Sequence, residues 1–508
     1  MKKDFFAKNW KEYLPQPICE TYPAYKELYE KTWEIARAHV RDIKGMPQTP
    51  YMDEAFCDTQ VWIWDSCFMS LFCKYAQEVF PGIETFNNFY EALYAGKSLP
   101  TILPTRQEPS WTGAVYGKPY AIKVHIADNP PLFAWAEYEN ALLHGDINYL
   151  QDLLYKKQVL QKHYEWIENL TETVRLPNVL LETYLKTDEK GYKWEGGASG
   201  MDNTPRGRTA EYNDERPNNP NMLWIDAICQ QALSANVISR LFAIVGDSTN
   251  QAKWEKRFLN KKECINRFYW DETDGFYYDV DCIDGRFYKV QTIASYWALT
   301  AGVASEKQAR AMADMVLNPD KFGGIVPLVS LARDDVDFVA TGRYWRGGLW
   351  LPTAYAALKG LANYELYDEA HACAQKILNH MLATYQGYEP HTVWECYSPQ
   401  NAEPGMQTDN ATIVRPDFCG WSALGPISIY IEFVLGFHTI NAFEKVVKWW
   451  KPSDMCGKIG VCGLRFGEVH TDIIADEQEC HVKTNVEYAL EINGKSFKVL
   501  KGENVFTI

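Results

Sequence analysis

Two acids in aromatic, glycine-rich surroundings are the residues of this chain best suited to do chemistry. The first is Asp202, at the end of Glu195-Gly-Gly-Ala-Ser-Gly-Met-Asp202 and just before Asn203-Thr-Pro-Arg206. Small residues let a backbone approach a ligand closely, and proline fixes the turn. The second is Glu395, in His391-Thr-Val-Trp394-Glu395-Cys-Tyr397-Ser-Pro399. A carboxyl group between a Trp and a Tyr is costly to bury unless it is paired or used. Two separated carboxyl groups with aromatic platforms suit glycoside hydrolysis. One acid protonates the leaving oxygen, and the other acts as nucleophile or as base for water. Flat aromatic faces cover the C–H faces of pyranose rings.

Three further stretches mix the same residue types. Val61-Trp62-Ile-Trp64-Asp65-Ser66 ends an indole pair in an acid, which suits vicinal hydroxyls and equally suits the first turn of a helix. His125-Ile-Ala-Asp128-Asn129-Pro130-Pro131 also reads as a capped, proline-started helix. Tyr344-Trp345-Arg346-Gly-Gly-Leu-Trp350 puts glycines beside an arginine, as a close ligand approach or a tight turn requires. By contrast, Asp271-Glu-Thr-Asp-Gly275 lacks the acid spacing of a calcium loop and reads as an Asp-Gly turn. No metal and no cofactor are expected.

Composition narrows the class. The chain has 508 residues, suited to one large domain with an appendage. Its 51 basic and 66 acidic side chains give a net charge of −15, against a nucleic-acid or anionic-membrane surface. The 18 Trp and 31 Tyr give the aromatic supply that a sugar site needs, although a core would use them too. The 13 Cys form no CxxC pair, which fits reduced thiols in a reducing compartment. No apolar leader or membrane-length stretch is visible, so a cytoplasmic protein is expected, or a periplasmic one if a leader has been removed. The expected partner is a small oligosaccharide or glycoside.

Amphipathic periodicity predicts helices near 22–42, 62–79, 82–96, 128–144, 147–169, 221–246, 248–268, 289–302, 305–317, 348–361, 364–385 and 420–436. Leu233, Val237, Leu241 and Val245 repeat at i+4, with Pro220 as a first-turn residue and Gly246 as a stop. Ser305-Glu-Lys-Gln308 reads as a capping box. About twelve helices predict hairpins that close into a toroid or stack as a solenoid; the lack of a fixed repeat disfavours the solenoid. Connections over 97–127, 170–220 and 386–419 are long enough to be functional, and are expected on one face. Beyond residue 440, short alternating runs and the Asn493-Gly494 turn signal predict a small β domain. The expected organisation is residues 1–440 as a helical catalytic domain and 441–508 as the β domain.

Six of these segments, taken in order, resemble a known group. Ala198-Ser-Gly-Met-Asp-Asn-Thr-Pro-Arg206 is similar to the general-acid segment of the inverting α-glycosidases of glycoside hydrolase family 63, with kinship to trehalases and bacterial mannosylglycerate hydrolases. Trp62-Ile-Trp-Asp65, Asn129-Pro-Pro131, Tyr344-Trp-Arg-Gly-Gly-Leu-Trp350, Trp394-Glu-Cys-Tyr397 and Gly420-Trp421-Ser-Ala-Leu-Gly425 resemble the group's remaining motifs. The resemblance implies a mainly α fold, an (α/α)6 toroid, here with a small C-terminal β domain. It also implies inversion at the anomeric carbon, with Asp202 as general acid and Glu395 as general base. Trp62, Trp64, Asp65, Asn129, Asn203, Arg206, Tyr344, Trp345, Arg346, Trp350, Trp394, Tyr397 and Trp421 would then shape the sugar site. Asn129 in place of the group's Gln, and Gly348-Leu349 in place of Pro-Ile, leave the sugar and linkage open. Two other readings compete. A sugar epimerase on a helical toroid would need a histidine pair, and only His125 and His391 fall in candidate loops. A non-catalytic carbohydrate-binding protein would have lost one of the two acids.

Overall fold

A computed structural model describes residues 3–42, 47–54, 60–94, 102–104, 130–170 and 185–508. Six helical segments touch in a closed cycle. They are α1 (Ile63–Cys73), α2 (Phe133–His144), α3 (Ile225–Ile244), α4 (Trp297–Ala301), α5 (Leu351–Ala362) and the π-helical α6 (Gly425–Val434). Each packs on the next, and α6 returns to α1. A second set lies outside them: Tyr25–Ala38 and Tyr367–Gly387 against α6, and Val159–Glu168 and Ser248–Phe268 against α3.

Sequence explains which helix lies inside. The α3 segment buries residues on every face, including Cys229, Leu233, Val237 and Leu241. A helix apolar all round must be surrounded by protein. Its neighbour Ser248–Phe268 buries only Trp254 and Ile265, the signature of an outer helix. Gly246 ends α3 at φ 77°, and the Asp247 side chain accepts the Asn250 N–H to start the next helix. The Ser305–Gln308 capping box forms as expected.

All twelve predicted helices have counterparts, but three start four or more residues later than expected: at Phe133 rather than 128, so that Pro130 and Pro131 precede the helix, at Ile293 rather than 289, and at Ile225 rather than 221. Pro220 does not begin α3. Met222–Leu223 is extended because it pairs with Val280 and Asp281, so the helix starts at Ile225. The stretch at 271–275 forms the turn between Trp270–Asp271 and Phe276–Tyr277, with Asp271 accepting the N–H groups of Thr273 and Asp274.

Residues 439–507 form two sheets. One orders Thr439–Asn441, Val446–Trp449, Tyr488–Ile492 and Lys495–Val499, and its last two strands turn at Asn493-Gly494, both at positive φ. The other orders Ile459–Phe466, Val469–Ala475, Glu479–Thr484 and Gly502–Thr507, and takes the N-terminal strand Gln16–Cys19 at its edge. Among the described residues every cysteine is a free thiol, and no helix is long and apolar enough to cross a membrane.

Candidate active site

The N-terminal ends of the inner helices carry the residues singled out above. Asp65 lies in the first turn of α1, Trp350 caps α5, and Trp421 precedes α6. Three loops meet them: 185–220, 386–419 and a fourth long connection, 318–350. Most of the 97–127 connection, together with Asn129, His125 and Asp128, lies outside the described residues.

Glu195 does not point at a ligand. It caps the short helix Gly196–Ser199, accepting the N–H groups of Gly197 and Ala198. Gly200 ends that turn at φ 81° and lies flat on Trp64; a Cβ there would fall 2.4 Å from the indole. Only glycine permits both the backbone angle and the approach. This contact fixes the Asp202 loop to the α1 motif. Asn203 then fixes it to the 343–346 turn. Its side-chain oxygen accepts the Trp345 N–H at 2.9 Å, and its amide donates to the Arg343 carbonyl at 3.0 Å and to Glu215 at 3.3 Å. Arg346 adds a bond to the Asn203 carbonyl at 3.1 Å and one to Asp337 at 3.0 Å.

Glu395 sits in a small meander, in which Trp394 bridges Pro416 and Tyr397 bridges both Leu349 and Pro404. Its carboxylate is buried and well supplied with donors. The Tyr344 hydroxyl donates at 2.8 Å, the Arg415 N–H at 3.3 Å and the Gln407 amide at 3.4 Å. Trp421 donates its indole N–H to the Glu395 carbonyl at 2.6 Å, tying the acid to the start of α6. Arg343 and Tyr344 hold this position at positive φ, 31° and 65°. Such angles are unfavourable for side-chain-bearing residues and collect at functional sites. The indoles form a continuous wall: Trp345 stacks on Trp350 at 4.2 Å, and Trp421 packs against both Trp350 and Trp64 at 5.6 Å.

Asp65, Asp202 and Glu395 lie within one another's electrostatic field. Burial, then the charges of Glu395 and Asp202, hold the Asp65 carboxyl well above the usual carboxylate range. Burial pushes Asp202 up to about 7; Arg216 works against this, and Glu195 and Glu395 add to it. Among the described residues the Asp202 carboxyl accepts no hydrogen bond. Burial also raises Glu395, but the Tyr344 hydroxyl, the Arg415 N–H and charge, and Gln407 all pull it back down. The two principal acids therefore differ in kind. One is unbonded and proton-retaining, and the other is held by donors that favour its anion. Such a contrast is what proton donation by one group and proton acceptance by the other would require.

Two predicted residues do not reach this group. Arg206 is buried beneath it, between Asp226 and Asp279, at 2.6–2.8 Å, and over the Trp224 ring at 4.4 Å. Burial opposes its charge, and Asp226 and Asp279 outweigh that effect. With one more N–H on the Met201 sulfur, no Arg206 donor remains for a sugar. The Tyr397 hydroxyl accepts the Trp394 N–H, and its ring packs against His380. Conversely, the sequence reading missed Gln407 and the Arg415 backbone, which reach Glu395 through a turn closed by the Gln407–Thr412 bond and Asn410 at φ 55°. Asn410 beside Asp409 is the local turn signal that points there.

Tyr344→Phe removes one donor from Glu395. The expected result is a kcat lower by about 10–100-fold, from a charged hydrogen bond of roughly 1.5–3 kcal/mol. The acid limb of kcat/KM should move to higher pH, because that bond lowers the Glu395 pKa. A pH-rate profile of the variant checks both.

Comparison with known proteins agrees with this architecture. A Borreliella burgdorferi protein, itself uncharacterized, is 25% identical over 490 residues, covering 94% of this chain and 91% of its own. A probable trehalase of Eremothecium gossypii is 27% identical over 225 residues, covering 42% of this chain but only 30% of the trehalase. The GH63 mannosylglycerate hydrolase of Thermus thermophilus, solved in complex with glucose, shares the fold with a TM-score of 0.54 at 16% identity, covering 79% of this chain and 99% of that one. Residues 59–411 match the mannosylglycerate hydrolase MGH1-like glycoside hydrolase domain. The chain belongs to that family of glycoside hydrolases, within the clan of the GH63 enzymes and trehalases.

Proposed function

We propose that the protein is an inverting, exo-acting hydrolase of a short α-linked glucoside or mannoside, built on an (α/α)6 toroid. The closed cycle of α1 to α6, with a second layer of helices outside it, supports the toroid. The observation that carries the reaction is the contrast between Asp202 and Glu395. Asp202 retains its proton to about pH 7, and among the described residues no donor reaches its carboxyl. Glu395 is held by three donors.

In this reading Asp202 gives its proton to the glycosidic oxygen as the anomeric C–O bond breaks. A water attacks the anomeric carbon from the opposite face, and Glu395 takes the proton that the water loses. Inversion needs room for that water, roughly 6.5–9.5 Å between carboxyl groups. Asp65, beside Asp202 and Glu395, hydrogen-bonds a sugar hydroxyl, and Trp64, Trp345 and Trp421 offer apolar faces to the ring. Arg206 acts as a positioning residue under the Asp202 loop.

The names of the relatives, which give trehalose and mannosylglycerate as substrates, support this substrate class. Incubation with trehalose, mannosylglycerate and aryl α-glucosides and α-mannosides should release free sugar from at least one. Turnover of none of them, or net isomerisation of free sugars without hydrolysis, would overturn the reading.

A further inference from the structure

The opposite ends of the inner helices hold a second constellation that the reaction does not use. Lys74 follows α1, Glu139 lies in α2, Lys359 in α5 and Glu432 in α6. Lys74 and Lys359 each touch both glutamates at 3.0–3.4 Å, closing a four-membered ring of charge. Tyr75 and Tyr355 donate to Glu432 at 2.8–3.0 Å. Nine residues of helix separate Asp65 from Lys74, about 13 Å along the axis.

This ring is balanced: two positive charges meet two negative ones. Beside it lie two recesses, of about 440 Å³ and 280 Å³, with Tyr138, Glu139, Arg240, Lys359 and Asn363 lining both. The larger one also takes Lys262. Among the described residues neither Arg240 nor Lys262 pairs with a carboxylate. Arg240 only lies over the Tyr138 ring at 5.9 Å, and Lys262 gives one hydrogen bond to the Gly302 carbonyl at 3.2 Å. Helix carbonyl ends explain why cations gather here. They do not use the five N–H groups of the Arg240 guanidinium. Glu306 on the wall is exposed, as Arg240 is, and belongs to the first turn of its own helix. Asn236 and Asn363 spend their amide N–H groups on the carbonyls of Ala301, Leu299 and Thr300, which leaves their oxygens as acceptors. His438 on the smaller recess is depressed to about 3, chiefly by burial and then by Lys359 and Lys448.

We propose that this cavity is a second ligand site, separate from the carboxylate cluster, for a phosphate dianion, free or carried on a hydroxylated molecule such as a sugar phosphate. Two cations that pair with no carboxylate among the described residues match the roughly −1.5 to −2 charge of a phosphate monoester near neutral pH. A guanidinium fork fits two phosphate oxygens at once. The Asn236 and Asn363 oxygens accept hydroxyl groups of the carrier.

Isothermal titration of the full chain with inorganic phosphate and with glucose 6-phosphate, at constant ionic strength, tests this. Saturable binding of at least one is expected. Binding of both assigns recognition to the phosphate group, and binding of the sugar phosphate alone adds the carrier hydroxyls. Arg240→Ala and Lys262→Ala should each weaken binding at least about 10-fold, with circular dichroism unchanged. Absence of saturable binding by either probe, or full affinity in Arg240→Ala, would refute the site.

Discussion

Asp202→Asn should lower kcat by about 10²–10⁴-fold, the range for loss of a positioned proton donor, with little change in sugar binding. The pH profile is the sharper readout. In the wild type, kcat/KM should fall as pH rises through about 7, where Asp202 loses its proton. In Asp202→Asn the residual activity should lack that limb. Aryl glycosides with good leaving groups should be spared most, because they need the acid least. The same group has a stability signature. Its folded pKa, about 7, lies above the unfolded value. The protonated form therefore adds stability that is complete below about pH 4 and is lost as pH rises through 7. Asp202→Asn should accordingly raise the melting temperature, most clearly at pH 8. A half-buried acid held at a cost in stability behaves this way.

Arg206→Met should be the most damaging stability change near the site. It leaves Asp226 and Asp279, both buried, facing one another without the guanidinium that each grips through both oxygens. Breaking one side of a buried ion network costs about 3–5 kcal/mol. Denaturant unfolding should show the stability falling by that amount with an unchanged slope. Arg206→Lys keeps the charge but not the fork, and should recover part of the loss. Its folded fraction should keep a wild-type KM, because no Arg206 donor is left for a sugar. A large rise in KM at unchanged stability would instead restore Arg206 to the sugar site.

Arg206 also shows where reading the chain stops. Its neighbours in sequence are those of a pocket turn. Its partners come from 20 and 73 positions away, and no local pattern announces that convergence. Gln407 escaped notice for the same reason, since it reaches Glu395 only through a turn within a long loop. The N-terminal strand Gln16–Cys19 has no turn signal linking it to Ile459–Phe466, the strand it pairs with. What was legible was local or repetitive. The i+4 face of α3, the Ser305 cap, the Asn493-Gly494 turn and the small-residue run before Asp202 each carry their physics within a few residues. The approach of Asp202 to Glu395 was legible only through the ordered motifs. The spacing of two acids along a chain says nothing about their spacing in space, and it is the Gly200–Trp64 contact, with Asn203 and Tyr344, that brings them together.

The central claim is that Asp202 and Glu395 work from opposite faces of the sugar, as acid and base. Proton NMR of the first product formed from an α-glycoside tests it most directly, before mutarotation mixes the anomers. The account predicts the β-anomer first, with the α-anomer growing in later. Initial release of the α-anomer would mean retention, and would contradict the roles assigned to both residues.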